Sequence, residues 1–362
     1  MAQLSQTLPS GPIDIIGDVH GEADALGALL ARLGCDPERG TAERPIAFVG
    51  DLVDRGPNSA AVVDMVMGLI DAGVAQCVLG NHELNILLGS KKEGNGWFWG
   101  DESDHHQYIV DGSVHTERFA SVLATPQQRE RYMEFFKTLP LVLHRPDLRV
   151  VHACWHGPSI AMLPEQADIV SLTNQWDADI NRDLDARGIR QQERSERAEF
   201  ANLVRLDVRP TRDLDAHAVA AGERQSKHPV KVITSGREVR VPFESIFFVG
   251  GKWRFVQRFD WWNHYDEQPA VVVGHYWRRR TGTWVEGKPD SWATEQYTDW
   301  TGPRRNVFCV DYSVGRRFVE RARGAREGFS GGLAAMRWPE QTLVFSDRDE
   351  LIPTTNRATV GD

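Results

Sequence analysis

The sequence predicts an α/β fold built on a mainly parallel β-sheet, and two observations support this. Between residues 12 and 89, short β-branched runs alternate with amphipathic stretches, which is the pattern of strand–helix repeats. Three glycine-flanked polar motifs each follow one of the short runs directly. In such folds the functional loops lie at the carboxyl ends of the strands, because the helices occupy the faces of the sheet. We therefore expect the functional side chains at one edge of the sheet.

The elements of the repeat follow in a regular order. Strands are expected at 13–16, 45–49 and 77–79, and helices at 25–33, 60–70 and 84–88. Residues 91–115 lack a clear period, which predicts an inserted loop beside the third polar motif that could shape a substrate pocket. Thr125 and Pro126 then offer a cap and a first-turn proline for a helix that runs to about Leu139.

The second half of the chain mixes a charged stretch with further strands. Residues 141–144 and 148–153 are expected to form a hairpin around Pro146 and Asp147. Residues 165–228 carry many charges of both signs, which predicts exposed helices and a flexible connection. We expect one domain over residues 1–362 with insertions at about 90–120 and 165–228. Further strands are expected at 230–233, 253–259, 270–273, 306–310 and 343–345.

Composition limits the class of protein. Forty-two Lys and Arg against fifty-one Asp and Glu give a formal net charge of -9, which argues against a stable nucleic-acid partner. Neither a secretory signal nor an apolar run of transmembrane length is evident. The four cysteines are far apart, so neither a disulfide framework nor a zinc knuckle is indicated. We expect a cytoplasmic protein without a membrane partner, and its oligomeric state stays open.

The first two polar motifs each place carboxylates at a strand end. In Gly-Asp-Val-His-Gly, Asp18 and His20 are flanked by glycines that permit sharp turns and close approach. In Gly-Asp-Leu-Val-Asp-Arg-Gly-Pro, Asp51 and Asp54 precede Arg55, whose planar guanidinium can donate two hydrogen bonds to a phosphate. Taken singly, the first could be a polar turn and the second an Asp–Arg surface pair.

The third motif, Gly-Asn-His-Glu, follows the strand expected at 77–79. The amide oxygen of Asn81 can coordinate a hard or borderline cation, and the imidazole of His82 can transfer protons. Glu83 is expected to begin the next helix, where an acidic side chain suits the helix dipole, rather than to bind metal.

Together and in this order, the three motifs resemble those of the calcineurin-like metallophosphoesterases, and within them the phosphoprotein phosphatase family. His152 in Val-Val-His-Ala-Cys and His275 in Val-Gly-His resemble that family's two late metal-binding histidines. The resemblance is close over the first ninety residues and is then confined to short islands. It implies a four-layer α/β/β/α sandwich with helical and loop insertions.

The resemblance also implies a site for two divalent metal ions, with Mn as the expected metal and Fe or Zn as alternatives. Paired cations about 3.5 to 4 Å apart can bind phosphoryl oxygens and generate hydroxide at neutral pH. His82 would protonate the leaving oxygen, Asp54 would orient His82, and Arg55 would bind the phosphate. The implied metal ligands, with Asp51 bridging both ions, are Asp18, His20, Asp51, Asn81, His152 and His275.

A second phosphate-binding arginine is expected between the two late histidines. We favour Arg258, which follows an alternating run and precedes two tryptophans, although it could equally be an exposed strand arginine. Leu79 stands where eukaryotic protein phosphatases carry a basic residue, and this makes the motif more similar to symmetrical diadenosine tetraphosphatases. The other candidate arginines are Arg237, Arg240 and Arg254.

Aromatic and arginine residues are concentrated between 261 and 300. They could stack a nucleobase, and the alternative is packing in a core or hairpin. Asp311 either supports the site from a neighbouring strand or begins a turn. The residues concerned are Trp261, Trp262, Trp277, Trp284, Trp292, Trp300 and Arg278, Arg279 and Arg280.

Three functions follow from these observations. Hydrolysis of phosphate monoesters, in a phosphoprotein or a small molecule, is the leading expectation. Cleavage of a dinucleoside polyphosphate or nucleotide anhydride is the alternative. A third hypothesis is an inert nucleotide- or RNA-binding module, which we would recognise by missing metal ligands, and none of the six is missing.

Overall fold

The computed structural model of the protein describes residues 1–110, 113–200, 208–249, 252–280, 292, 294 and 296–355. Its strands, numbered in chain order, are β1 (Ala2–Gln3), β2 (Ser5–Thr7), β3 (Ile13–Ile16), β4 (Cys35–Asp36), β5 (Thr41–Ala42), β6 (Ile46–Phe48), β7 (Ala75–Cys77), β8 (His105–Val110), β9 (Ser113–Arg118), β10 (Val142–His144), β11 (Leu148–Val151), β12 (Gln166–Ala167), β13 (Glu238–Arg240), β14 (Phe247–Val249), β15 (Lys252–Arg254), β16 (Val256–Arg258), β17 (Ala270–Val273), β18 (Val307–Cys309), β19 (Ala334–Trp338), β20 (Thr342–Phe345) and β21 (Ile352–Pro353).

Helices surround these strands. They are α1 (Ala23–Arg32), α2 (Ser59–Asp71), α3 (Asn81–Leu87), α4 (Gly96–Trp99), α5 (Pro126–Thr138), α6 (Gly157–Ala161), α7 (Ile169–Ala186), α8 (Ile189–Glu199), α9 (Asp215–Ser226), α10 (Pro229–Ser235) and α11 (Arg317–Ala322), with short 3-10 turns at Phe243–Ser245, Trp261–His264 and Val314–Arg316. No helix among the described residues is both long and apolar enough to cross a bilayer.

Two large sheets form the centre of the fold. The six-stranded sheet has the order β21-β20-β19-β3-β6-β7, in which β3, β6 and β7 are parallel. The five-stranded sheet has the order β18-β17-β11-β10-β2, in which β11, β17 and β18 are parallel. In the same sheet β2 and β10 are also parallel to each other. The predicted site residues follow β3, β6 and β7 of the first sheet and β11 and β17 of the second.

Alternate side chains of these strands point to different layers. Ile15 and Val49 of the first sheet region pack in one buried cluster with Val150 and Val272 of the second. Their neighbours, such as Ile16, belong instead to the cluster that includes the helices. Because successive side chains of a strand face opposite sides, the two sheets pack face to face and the helices cover their outer faces. The predicted four-layer α/β/β/α sandwich is confirmed.

The N-terminal strand–helix repeat agrees with the prediction to within a few residues at each end. In α2, the side chain of Asn58 caps the helix by accepting a hydrogen bond from the N–H of Ala61 at 3.0 Å. In α5, Thr125 and Gln128 form a reciprocal capping box before the proline-initiated first turn. These caps determine where α2 and α5 begin, and from those residues the apolar face of each helix can pack on a sheet.

The strand expected at 230–233 was wrong, because these residues lie in helix α10. The β-branched composition suggested a strand, but His228 accepts a hydrogen bond from the N–H of Lys231 and Pro229 occupies the first turn. Val230 and Ile233 are then buried three residues apart on one helix face. Cap and proline signals therefore outweighed β propensity.

Two further expectations need correction. Residues 91–115 do not form a plain loop, since they contain α4 and β8, which pairs with β9. The single strand expected at 253–259 is divided at the buried Phe255 into β15 and β16, which pair with different partners, β14 and β13. The charged stretch forms α7, α8 and α9 as expected. Residues 201–207, in the expected flexible connection, lie outside the described residues. The single-domain assignment stays a prediction.

Candidate metal centre

The polar motifs converge because the strands that precede them end in register. Phe48 of β6 pairs with Ile16 of β3 on one side and with Cys77 of β7 on the other. In the second sheet, Val273 of β17 pairs with Cys309 of β18, while Val272 pairs with Val150 of β11. The loops that follow these strands therefore open at one edge of the sandwich.

The backbone at this edge is strained. Five of the predicted metal-binding, phosphate-binding and catalytic residues have positive φ, a region that side chains with a Cβ rarely adopt and that costs about 1–3 kcal/mol each. Such conformations persist only where the surroundings enforce them, and they cluster at functional sites. The residues are His20 (47°), Asp51 (49°), Asp54 (75°), Arg55 (69°) and His275 (67°).

Two glycines allow the loops to touch. A Cβ on Gly80 would lie 2.3 Å from Oδ1 of Asp51, and one on Gly274 would lie 1.9 Å from Oδ1 of Asp18. Both distances are far below van der Waals contact, so only glycine fits. These two glycines are thus explained by close approach to a carboxylate of another motif.

Asp51 lies at the centre of the site and is 2% exposed. Its Oδ2 is 3.2 Å from Nε2 of His152, 3.8 Å from Nε2 of His82 and 4.0 Å from Nε2 of His20. Two groups of potential ligand atoms, each within 4.8 Å of one another, share this carboxylate: His20, Asp51 and His82 on one side, and Asp51, His152 and His275 on the other.

The second side of the site contains three of the predicted ligands. Nε2 of His152 is 3.1 Å from Oδ1 of Asn81 and 3.2 Å from Nδ1 of His275. The other ring nitrogen of His152 is 2.7 Å from the carbonyl oxygen of Val49. Asp51 raises the pKa of His152 against the effect of burial. A bound cation would require the neutral form, in which Nδ1 donates to this carbonyl and Nε2 is free to bind the metal.

The first side contains Asp18 and His20. Nε2 of His20 is 3.8 Å from Oδ2 of Asp18, and its Nδ1 is 3.0 Å from the carbonyl oxygen of Val53. The carboxylate of Asp18 accepts hydrogen bonds from the N–H of His275, which link the two sides. Asp311, fully buried at the end of β18, accepts a hydrogen bond from the N–H of Ser313 and also lies near enough to act on Asp18. It therefore both begins a turn and adjoins the site.

Buried charges perturb one another here. Burial, together with the charges of Asp311 and Asp51, raises the pKa of Asp18 well above its usual value. Burial would also raise the pKa of Asp51, but the adjacent His152 and His82 hold it well below its usual range. Protein groups alone leave this cluster of buried carboxylates poorly compensated.

The residues present fit divalent cations. Nε2 of His275 and Oδ2 of Asp311 are buried with no hydrogen-bond partner among the described residues. Nε2 of His152 lies within 3.2 Å of Oδ1 of Asn81, Oδ2 of Asp51 and Nδ1 of His275, and a single proton on it could serve only one of them. Carboxylate, amide and imidazole donors together suit Mn, Fe or Zn. A cation between them would satisfy atoms that nothing else in the site satisfies.

His82 lies beside both sides of the site. Its Nδ1 is 2.6 Å from Oδ2 of Asp54, and its Nε2 is 3.2 Å from Nη2 of Arg55, whose Nη1 is 2.8 Å from Nε2 of His20. Arg55, the predicted phosphate-binding residue, thus lies across the opening of the first side of the site. The Arg55 guanidinium also stacks at 4.9 Å over the ring of Trp277, which is half-buried.

Arg258 is exposed on β16 and lies close to Tyr276, the residue after His275. Its guanidinium donates to the carbonyl oxygen of Ser235 and lies 5.8 Å from the ring centre of Tyr276. Its charge, after burial, is the main cause of the lowered pKa of His275. A phosphate-binding role for Arg258 stays a prediction.

Most of the aromatic and arginine cluster is structural. Trp261, Trp262, Trp292 and Trp300 are buried in the two hydrophobic clusters. Arg278, 1% exposed, donates to the carbonyls of Cys309 and Asp299, and Arg280 pairs with Asp347 at 2.7 Å. Both arginines are therefore unavailable to a nucleic acid. Trp277 alone among the described tryptophans stacks on Arg55, and Trp284 lies outside the described residues.

Sequence reasoning missed two residues that shape the site. Glu83, fully buried, accepts hydrogen bonds from the backbone of Asp51, Leu52 and Gly80. Trp97 donates from Nε1 to Oδ1 of Asp54 at 2.7 Å. Their roles depend on contacts between distant segments. For Glu83, the only local signal of this role was its place in the Gly-Asn-His-Glu motif, and an acidic residue there also suits a helix start.

Comparison with known proteins agrees with this geometry. The family model for calcineurin-like phosphoesterases matches residues 11–236, more than half of the chain. The chain belongs to the calcineurin-like phosphoesterase family, as its motifs predict.

Similar proteins include dinucleoside tetraphosphatases of two kinds. An asymmetrical bis(5'-nucleosyl)-tetraphosphatase of Oceanobacillus iheyensis is 33% identical over 145 residues, which are 39% of this chain and 54% of that protein. A symmetrical bis(5'-nucleosyl)-tetraphosphatase of Ralstonia nicotianae is 41% identical over 81 residues, 22% of this chain and 26% of that protein. The chain thus spans about half the length, or less, of the curated relatives it matches.

Among solved structures, a cold-active protein-tyrosine phosphatase of a psychrophilic Shewanella species overlaps 97% of this chain and 82% of that one, at 13% identity. Its TM-score is 0.43, which is too low to support an argument.

Proposed function

We propose that this chain is a hydrolase of phosphate esters that works with two divalent metal ions. The observation that carries the proposal is the position of Asp51, shared by two groups of potential ligand atoms. Bound ions would orient the phosphoryl group and supply a hydroxide nucleophile at neutral pH. We keep Mn as the expected metal, with Fe or Zn as alternatives.

The proposed ligands are those expected from the sequence. Asp18 and His20 would hold one ion. Asn81, His152 and His275 would hold the other, and Asp51 would lie between the two ions. The same distances would also allow His82 to act as a ligand of the first ion, since its Nε2 belongs to the first group. The 2.6 Å contact with Asp54 favours a proton-transfer role, because it fixes the orientation of the imidazole beside the metal site.

Phosphate binding and proton transfer would come from adjacent side chains. Arg55 extends across the first side toward both His20 and His82, where a guanidinium can bind non-bridging phosphoryl oxygens. His82, held by Asp54, would then deliver a proton to the leaving oxygen. Arg258, beside His275, is the proposed second phosphate ligand.

A phosphate monoester remains the leading substrate class, either in a phosphoprotein or in a small molecule. Cleavage of a dinucleoside polyphosphate is a second candidate, which two observations favour. The relatives described above are named as dinucleoside tetraphosphatases. In addition, Trp277 stacks on the proposed phosphate-binding Arg55, where its ring could also contact a base. We propose a cytoplasmic location, which the four unpaired cysteines support.

The test is a panel of metals and substrates. Metal-free protein is reconstituted with Mn, Zn, Fe or Mg, and catalytic efficiency is measured on p-nitrophenyl phosphate, a phosphothreonine peptide and diadenosine tetraphosphate. Preference for the peptide supports a phosphoprotein phosphatase, and preference for the dinucleotide supports the second candidate. Absence of turnover with every metal and substrate would overturn the proposed hydrolase.

A further inference from the structure

The insertion that follows the third motif reaches into the site through one side chain. Trp97, on α4, is 2% exposed and donates from its indole N–H to Oδ1 of Asp54. The other oxygen of Asp54 contacts Nδ1 of His82. One carboxylate, itself fully buried, therefore joins an inserted tryptophan to the proposed proton donor.

Trp97 is held rigidly in this position. Its carbonyl oxygen accepts a hydrogen bond from the N–H of Ala124 at 2.9 Å, and its ring packs against Phe98 and Tyr132. At the start of α4, Asp104 accepts a hydrogen bond from the N–H of Gly96 at 2.7 Å. A side chain that packing and hydrogen bonds hold in one position can in turn hold its hydrogen-bond partner, here the carboxylate of Asp54, in one orientation.

The insertion also contacts the loop that carries Asp54. The N–H of Arg55 donates to the carbonyl oxygen of Gly94 at 3.1 Å, and the N–H of Asp54 donates to Oγ of Ser59 at 3.0 Å. Asp54 and Arg55 both have positive φ. Contacts of this kind are what a strained backbone requires in order to persist.

We propose that Trp97 is a positioning residue for His82, acting through Asp54. The indole N–H fixes the carboxylate in the plane that presents its second oxygen to Nδ1, and the imidazole is thereby aimed with Nε2 toward the leaving oxygen. Without the donor, a buried carboxylate oxygen has no partner, and the carboxylate would rotate to find one. The inference rests on the proposed role of His82 as proton donor.

The test is Trp97→Phe, which keeps an aromatic ring and removes the N–H. Aryl phosphates with leaving groups from p-nitrophenol to phenol are compared, since a poor leaving group needs the proton and a good one does not. We expect kcat for phenyl phosphate to fall about tenfold, a fraction of the 10²–10⁴ that a general acid contributes. The kcat for p-nitrophenyl phosphate should change less than about threefold and KM less than about twofold.

Trp99→Phe is the matched control. Trp99 lies on the same helix, and its indole nitrogen has no hydrogen-bond partner among the described residues. This variant should retain the leaving-group dependence of the parent protein. A loss equal to that of Trp97→Phe would mean that the insertion is merely destabilised.

A double variant separates positioning from general damage. In the His82→Asn background there is no proton donor to aim, so Trp97→Phe should add no further loss on phenyl phosphate. A full additional tenfold loss there, or an equal loss on every leaving group, would overturn the inference.

If His82→Asn alone is selective for poor leaving groups and Trp97→Phe is not, this inference fails while the proposed function stands. If no variant and no metal gives turnover, both fail.

A spectroscopic measurement is independent of turnover. In protein labelled with 15N-tryptophan, Asp54→Asn should shift the indole N–H resonance of Trp97 and leave that of Trp99 in place. Two unchanged resonances would contradict the contact on which the inference depends.

Discussion

The carboxylate of Glu83 accepts a hydrogen bond from the backbone N–H of Asp51 at 3.1 Å. The same side chain accepts hydrogen bonds from the N–H of Leu52 at 2.7 Å and of Gly80 at 3.0 Å. One fully buried residue of α3 therefore fastens the loop after β6 to the loop after β7. Asp51 can adopt its strained backbone conformation because its N–H is held in this way.

The first prediction follows from these three hydrogen bonds. Glu83→Gln keeps the shape of the side chain but turns an NH2 group toward backbone donors, so at least one of the three hydrogen bonds is lost and a buried N–H is left without a partner. We expect the free energy of unfolding to fall by about 3 kcal/mol. Chemical denaturation of the metal-free protein measures it, with the exposed Glu130→Gln on α5 as control. Equal stability of the two variants would show that Glu83 is not a structural tie.

The second prediction concerns metal content. Asp51 is shared by both groups of ligand atoms. Oδ2 of Asp18 lies 3.8 Å from Nε2 of His20, which belongs to the first group alone. Asp18→Asn should therefore lower binding of one ion per chain, and Asp51→Asn should weaken binding of both. Metal content is measured by elemental analysis after desalting, and the exposed Asp24→Asn serves as control. Retention of two ions by Asp51→Asn would exclude the bridging role.

The third prediction separates the two possible roles of His82. As a proton donor, His82 can be replaced by Asn without loss of metal, while kcat for a poor leaving group falls by about 10²–10⁴. As a ligand, the same replacement should lower metal content. Elemental analysis and phenyl phosphate kinetics are run on the same samples, with the exposed His144→Asn on β10 as control. Unchanged turnover would remove His82 from both roles.

The fourth prediction concerns Trp277, which stacks at 4.9 Å on Arg55. If a base of a dinucleotide substrate also contacts this ring, Trp277→Leu should lower the efficiency on diadenosine tetraphosphate about tenfold more than that on p-nitrophenyl phosphate. Trp277→Phe keeps a ring face and should retain most of the preference. An equal loss on both substrates would mean that Trp277 serves Arg55 and not a base.

The residues proposed from the sequence as a site lie together in the structure, and their recognition has a physical reason. Metal chemistry restricts the residue types at strand ends, so Asp18, Asn81 and His152 were recognisable from short motifs even though they are far apart in sequence. The order of the four layers was predicted from the resemblance of these motifs to a known family. Neither inference required knowledge of long-range packing.

The rest depended on contacts that no local pattern records. Trp97 and Glu83 act on segments 43 and 31–32 residues away, respectively. The apolar run at 230–233 was compatible with strand or helix, and the buried environment of α10 and its cap decided the outcome. The tryptophans after residue 260 were ambiguous for the same reason, since the sequence does not say which of them face a core and which face the site.

The last prediction concerns pH and a carboxyl group away from the metal centre. Asp14 on β3 is 1% exposed, and burial raises its pKa from 3.8 to about 6 despite the charge of Arg337, whose Nε lies 3.3 Å from Oδ1.

Because the unfolded chain releases this proton at a lower pH than the folded protein does, the folded state is progressively destabilised as pH rises from about 4 to about 6. Asp14→Asn cannot ionise and escapes this loss. Its free energy of unfolding relative to the parent should therefore rise by up to about 3 kcal/mol between pH 4 and pH 7. Urea denaturation at several pH values measures the difference, with Asp24→Asn again the exposed control. A difference that stays constant across this range would mean that Asp14 is ionised in the fold and paired with Arg337.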